Sequence, residues 1–417
     1  MDERTESSRG KRKKILSYLA VLVMILASKT VYFGILYSQV TNIVALLILM
    51  VLLCKNTHRF VLSRSKIYIW MGFVSILMIV SFFYLMDIFV NFNGYFGAII
   101  EIALIFLIGL IVSEAMKKQD FIICYCHIMF AICCISLFFF YVEVNDRSLA
   151  LQISNIFESG SSRYIATPYF TFGWQTATGY NSIFGRNAGM WWEPGAFQGF
   201  IVIGLLGLLN YSYLFKRKAV LLIIFVFTLL TTQSTSGYIV LLISFAAYGR
   251  EYMECLFGSG KLENKSKQTK ILMAVGSTVL TILIAIIILR SGNIQEKFSV
   301  NNGSYNDRNE DIMGSLKLIA YNPIAGIGLG ATGASIRNSV VGTTTATTIL
   351  TLAVSFGLPF TVFYCYRFVK GVISIFDLGS IMKKIITIVM FAILLMSETL
   401  YLLPVYAAFL YKWRGES

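Results

Sequence analysis

The chain reads as a succession of apolar runs, each long enough to cross the roughly 30 Å hydrocarbon layer of a bilayer as a helix of about 20 residues. That pattern leaves few folds open. The runs lie at 15 to 35, 36 to 54, 67 to 86, 95 to 115, 121 to 142, 195 to 214, 219 to 233, 236 to 249, 271 to 289, 344 to 366, 384 to 399 and 400 to 411. Twelve helical spans with both termini on one side are therefore expected. Lys29 interrupts the first run and the last run is short. With 57% hydrophobic and 13% charged residues, the chain has too little polar surface for a soluble globule. The expected fold is an all-α, polytopic membrane protein.

A net charge of +14 would suggest nucleic acid if the basic residues were clustered in a folded polar domain. They are not. Of the 35 Lys and Arg, 26 fall in the terminal segments and in the loops on the termini's side of the expected spans. Basic residues collect on the cytoplasmic side of helical membrane proteins, so both termini are placed in the cytoplasm and nucleic acid is excluded as a partner. The first apolar run continues into further spans rather than ending at a small-residue cleavage site, so no cleavable signal peptide is expected.

Two outward loops are long, and they divide the chain. Residues 1–142 form a five-span bundle, 143–194 a first long outer loop and 195–289 a four-span central segment. Residues 290–343 then form a second long outer loop, and 344–417 a three-span C-terminal segment. Both loops carry Tyr, Trp, Phe, Gly and Arg, and disordered segments lack aromatics. They are expected to be folded and to carry recognition or chemistry.

The first loop ends in GRNAGMWWEPGAFQG, Gly185 to Gly199. Pro194 suits the first turn of the following helix, where its missing N–H is no loss. Glu193 then stands at that helix's N-terminus, where the dipole favours a carboxylate. Trp191 and Trp192 are what a membrane interface attracts, since indole has an apolar body and a polar N–H. Nine cations lie on the outer side, six of them arginine: Arg147, Arg163, Arg186, Arg290, Arg308 and Arg337. A planar guanidinium fork suits phosphate or carboxylate. The second loop holds Asn306-Asp307-Arg308, an amphipathic stretch to Tyr321, then Asn322-Pro323 and GIGLG at Gly326 to Gly330. As a nucleotide signature GIGLG is rejected, because no strand precedes it and no acid follows at the right distance.

The seven cysteines fall in apolar runs or cytoplasmic loops, which argues against disulfides and for small buried apolar residues. Neither His58 nor His127 faces outward, and the outer carboxylates form no cluster of the kind Mg²⁺ or Mn²⁺ needs, so the residues allow chemistry that uses neither metal nor cofactor. Glu101 lies inside the fourth span, which makes it a functional candidate or a buried hydrogen-bonding group.

Taken in order, Arg186, Glu-Pro-Gly at the start of a span, Ser-Thr-Ser-Gly at Ser234 to Gly237, Arg308, Asn322-Pro323, GIGLG and SFGLPF at Ser355 to Phe360 resemble the O-antigen polymerase and ligase superfamily. The resemblance covers about residues 160 to 400; the first five spans match in hydropathy alone. It implies a metal-independent, inverting glycosyltransferase at the outer face of the bacterial cytoplasmic membrane. Such an enzyme joins undecaprenyl-diphosphate-linked repeat units of a polysaccharide, O-antigen, capsule or exopolysaccharide. It also implies a chain-length regulator as a partner beside the lipid-linked oligosaccharide and the bilayer.

Under it, Arg186 and Arg308 hold the diphosphate. Glu193 has no single counterpart across the superfamily; a carboxylate at a helix start beside aromatic residues is a candidate base, with capping and binding of a substrate hydroxyl as the alternatives. Arg163, Asp307, Glu310 and Arg337 are assigned to substrate, and Trp174, Trp191 and Trp192 either stack on sugar faces or anchor at the interface. Asp307, Glu310 and Asp311 remain alternative bases. The ligase branch carries a histidine where this chain has Thr343-Thr344-Thr345-Ala346-Thr347-Thr348, which favours a polymerase over a ligase. A flippase would share the span count but not the long outer loops.

Overall fold

A computed structural model describes residues 3–31, 38–57, 62–82, 92–156, 164–166, 171–176, 179–181, 186–258, 286, 303–329, 335–337, 339–340 and 347–413. In chain order the helices are α1 (Glu3–Ala27), α2 (Ser38–Thr57), α3 (Arg64–Phe82), α4 (Phe92–Ala115), α5 (Lys118–Asn145) and α6 (Arg147–Ile156). Three short strands follow, β1 (Tyr164–Ala166), β2 (Thr171–Thr176) and β3 (Gly179–Asn181). Then come α7 (Pro194–Asn210), α8 (Lys218–Thr231), α9 (Thr235–Phe257), α10 (Gly303–Tyr321), α11 (Thr348–Phe376), α12 (Ile381–Ser397) and α13 (Pro404–Ala407).

Four stretches of the described residues are long and apolar enough to cross a membrane: Arg64–Ser81, Phe96–Ala115, Lys118–Asn145 and Thr348–Phe376. Shorter apolar helices cover Lys14–Ala27, Val40–Leu52, Pro194–Asn210 and Lys218–Thr231. Their outward surfaces are as apolar as their buried ones: Ile79, Phe138 and Val362 are all exposed. A helix apolar all round calls for lipid on its outer face.

The expectation of an all-α chain needs one amendment. The first outer loop holds, beyond α6, a three-stranded antiparallel sheet in the order β1-β2-β3. Trp174 on β2 pairs with Tyr164 of β1 and with Asn181 of β3. The alternating Tyr, Phe and Trp of this stretch suit strands. The expected span at 271 to 289 lies outside the described residues except for Ile286.

By packing, the chain divides into two compact units. The first comprises Met1–Thr41, Lys118–Gln295 and Phe376–Leu394, the second Asn42–Lys117, Glu296–Ile375 and Leu395–Ser417. In the first, α5 packs against α1, α7 and α8, and α9 against α7 and α8. Lys29 explains why the first run breaks: α1 stops at Ala27, and Lys29 takes φ 52°. All seven cysteines are free, with Cys124, Cys126, Cys133 and Cys255 buried.

In the second unit, Phe73 of α3 meets Phe106 of α4 and Phe360, Phe363 and Tyr364 of α11 in an aromatic cluster. Lys66 and Glu114 pair at 3.0 Å with both side chains buried, and Lys66 also donates to Ser113.

The twelfth run corrects the expectation of a helix there. Residues 400 to 411 contain one α-turn, α13, and one 3-10 turn, Ala408–Leu410. The segment nevertheless follows α11 from end to end. Leu400 N–H donates to Thr348 Oγ1 at one end; at the other, Arg367 Nε–H donates to Leu410 O and Trp413 N–H to Ser374 Oγ. From Thr348 to Ser374 an α-helix rises about 39 Å, more than a hydrocarbon core. Non-helical backbone at that depth must be shielded from lipid. It is: Leu400, Tyr401 and every residue from Leu403 to Tyr411 are buried.

Candidate functional site

The first unit builds its candidate site on the strap Arg186–Glu193. Asn187 fastens the strap: its Nδ2–H donates to Ser136 Oγ and Thr231 Oγ1, and its Oδ1 accepts from Gly189 N–H at 3.0 Å. Val31 N–H donates to Met190 O, and Thr30 bridges Trp191 in antiparallel fashion. Trp191 is fully buried, stacked on Phe197 and Phe200, with its Nε1–H given to Ser28 O at 3.0 Å. This corrects the expectation that Trp191 stacks on a sugar or anchors at the interface. Both faces of the indole and its one donor are committed inside the protein.

Trp192 is half-buried; its Nε1–H donates to Glu193 Oε1 at 2.8 Å. Pro194 does open α7, as its missing N–H dictates. Glu193 occupies the N-cap position but makes no side-chain capping bond, so the capping reading of its carboxylate fails. One carboxylate oxygen is turned to Trp192 instead.

Arg186 is half-buried, and its Nη2–H reaches Gln233 O at 3.4 Å. Gln233 takes φ 49°, a left-handed turn that aims the next residues into the first turn of α9. There Ser236 Oγ accepts from Gln198 Nε2–H of α7 at 2.5 Å, and Ser234 Oγ lies 3.3 Å from Ser236 Oγ. The fit requires Gly237, because a Cβ there would overlap Gln198 Oε1. Gln198 is fully buried.

Arg186, two serine hydroxyls and the N-terminus of α9, a helix of 23 residues, thus sit at one end of this unit. A helix N-terminus carries roughly half a positive charge and unpaired N–H donors. With the guanidinium beside it, the arrangement favours an anion with several oxygens. Asn187 and Gln198 lie within GRNAGMWWEPGAFQG and Ser236 within Ser-Thr-Ser-Gly, yet the motifs alone assign none of the three a role. The available signal is Gln198 itself, an amide five residues into an otherwise apolar helix.

In the second unit, Asp307 and Arg308 lie in the opening turns of α10, and Glu310 is exposed on the same helix. The GIGLG motif has a structural role. Asn322 turns the chain by accepting Ala325 N–H on Oδ1, and the strap then docks on a break in α11. Ile327 N–H donates to Val354 O at 2.7 Å, Gly328 N–H to Ser355 O at 3.1 Å and Leu358 N–H to Pro323 O at 2.7 Å. The break is at Gly357, with φ 82° and ψ 171°, ahead of Pro359. GIGLG and SFGLPF are thus two halves of one backbone joint.

Arg337 is half-buried, and its Nε–H has no hydrogen-bond partner among the described residues. Its charge and that of Glu101 on α4 both reach the Tyr401 phenol. Arg163 lies outside the described residues, and Trp174 is placed on β2. The site residues therefore divide: Trp174, Arg186, Trp191, Trp192 and Glu193 belong to the first unit, and Asp307, Arg308, Glu310 and Arg337 to the second. Among the described residues no three His, Cys, Asp or Glu side chains are grouped as metal ligands would be. No protein-family model, no curated protein and no solved structure matches this chain.

Proposed function

We propose that this chain is a polysaccharide polymerase of the bacterial cytoplasmic membrane, joining undecaprenyl-diphosphate-linked repeat units at the outer face. The observation that carries the reading is the anion site of the first unit, Arg186 beside Ser234, Ser236 and the N-terminus of α9. A lipid diphosphate is a leaving group that gains charge as its bond to the sugar breaks. Fixed donors that meet that charge lower the barrier. The resemblance assigns Arg308 to the diphosphate as well.

The reaction is a displacement at the anomeric carbon. A hydroxyl oxygen of the incoming unit bonds to that carbon, the bond to the diphosphate oxygen breaks, and the hydroxyl proton passes to a carboxylate. Glu193 is assigned as that base. Trp192 holds one of its oxygens, which orients the group and leaves the other for the hydroxyl. A single displacement inverts the anomeric configuration. Trp192, which is only partly buried, is assigned to the sugar ring, as the fully buried Trp191 is not.

The test uses purified protein in vesicles with lipid-linked repeat units and EDTA, comparing wild type with Arg186→Ala, Arg308→Ala and Glu193→Gln. The reading expects a polymer ladder from wild type and at least about a hundredfold loss in each folded variant, the size seen when one transition-state donor or base is removed. Movement of lipid-linked sugar across the vesicle membrane with no ladder would make the protein a transporter.

A further inference from the structure

The second long loop contains an apolar surface that the site does not use. One face of α10 is buried: Leu318 packs with Ile327 and Val354, joined by Ile319 and Ile336. On the other face Ile312, Met313 and Leu316 are exposed, spaced one and four residues apart so that they form one stripe. Glu310 and Lys317, seven residues apart, are exposed along one edge of the stripe.

The depth of this surface follows from α11. Residues 338 to 366 carry no charge, and Arg367 ends the apolar stretch. A hydrocarbon span of about 20 residues counted back from Arg367 begins near Thr348. Val354, on which Leu318 packs, is then about 9 Å inside that boundary. An apolar stripe held at that level, with a lysine at its edge to reach the headgroups, faces acyl chains.

We infer that α10 is a membrane-interface helix whose Ile312, Met313 and Leu316 rest among the acyl chains of the bilayer leaflet at the Thr348 end of α11. The occupant of the stripe is lipid, not a partner protein and not water. Arg308, one turn ahead of Ile312, is thereby carried at headgroup level. The inference rests on the membrane reading of the chain and is independent of the polymerase one.

The experiment reads position without activity. The three unburied cysteines, Cys54, Cys134 and Cys365, are replaced by Ser in the full chain. Ile312→Cys, Met313→Cys, Leu316→Cys and, as an aqueous control, Lys216→Cys in the exposed basic turn between α7 and α8 are then labelled with a nitrobenzoxadiazole maleimide. The proteins are placed in phosphatidylethanolamine–phosphatidylglycerol vesicles containing 5-doxyl phosphatidylcholine. Labels at 312, 313 and 316 are expected to emit to the blue of the label at 216, to be quenched by the doxyl lipid and to be shielded from iodide. Labels at these positions that iodide quenches as readily as the one at 216 overturn the inference. So do labels that neither quencher reaches, since that places protein over the stripe. Three positions guard against the failure of any one variant to fold.

Discussion

Substitution of Gly357 by Ala breaks the joint between the second loop and α11, and the loss can be worked from its parts. The backbone there has φ 82° and ψ 171°, a conformation essentially limited to glycine. The strain for any other residue is about 1–3 kcal/mol. The added methyl would also overlap Ile324 O and lie 2.9 Å from Ala325 N, backbone atoms that cannot swing aside as a side chain tip can. Relief means lifting the strap, which gives up the bonds from Ile327, Gly328 and Leu358 at about 0.5–1.5 kcal/mol each. The expected destabilisation is about 2.5–7.5 kcal/mol in all.

Gly97→Ala is the control. Gly97 is a helical glycine with no atom within 4 Å of its would-be Cβ, and alanine there should stabilise by up to about 1 kcal/mol. Thermal unfolding in nanodiscs, followed by intrinsic fluorescence at one fixed scan rate, ranks the two against wild type. A Gly357→Ala midpoint equal to that of wild type would refute the joint.

Trp191→Ala should destabilise by about 3–5 kcal/mol, because it empties a fully buried, stacked position, whereas Trp192→Ala should stay within about 1 kcal/mol in the same unfolding assay. Glu114→Gln leaves the Lys66 ammonium buried without its counter-charge and should cost about 3–5 kcal/mol; the Lys66→Met, Glu114→Leu double variant should regain most of it. Gly237→Ala displaces the Gln198 amide, a movable side chain, so polymer yield should fall well before the unfolding midpoint does.

Much of the architecture is legible in the sequence because one force dominates it. Apolar runs of the right length mark α3, α4, α5 and α11, and Pro194 marks the start of α7 through a single missing donor. The failures share a cause as well. An indole suits an interface, a sugar and a core alike, so nothing local tells that Trp191 is buried until Phe197, Phe200 and Ser28 close around it. The run 400 to 411 has the composition of a span, yet Pro404 and the neighbours it packs against leave only one α-turn. GIGLG announces tight turns, but its partner is a helix break some 30 residues away, fixed by tertiary pairing. The anion site was half visible: Arg186 stands out by charge, while Gln198 and Ser236 matter only once α7 and α9 pack together.

The central claim is that diphosphate leaves as each linkage forms. The direct measurement is the undecaprenyl diphosphate released per new glycosidic bond, by wild-type protein in vesicles with lipid-linked repeat units and EDTA. The account predicts one diphosphate lipid released for each linkage, and neither product from Arg186→Ala. Linkages formed without release of the lipid, or lipid-linked sugar consumed with no new linkage, would contradict it.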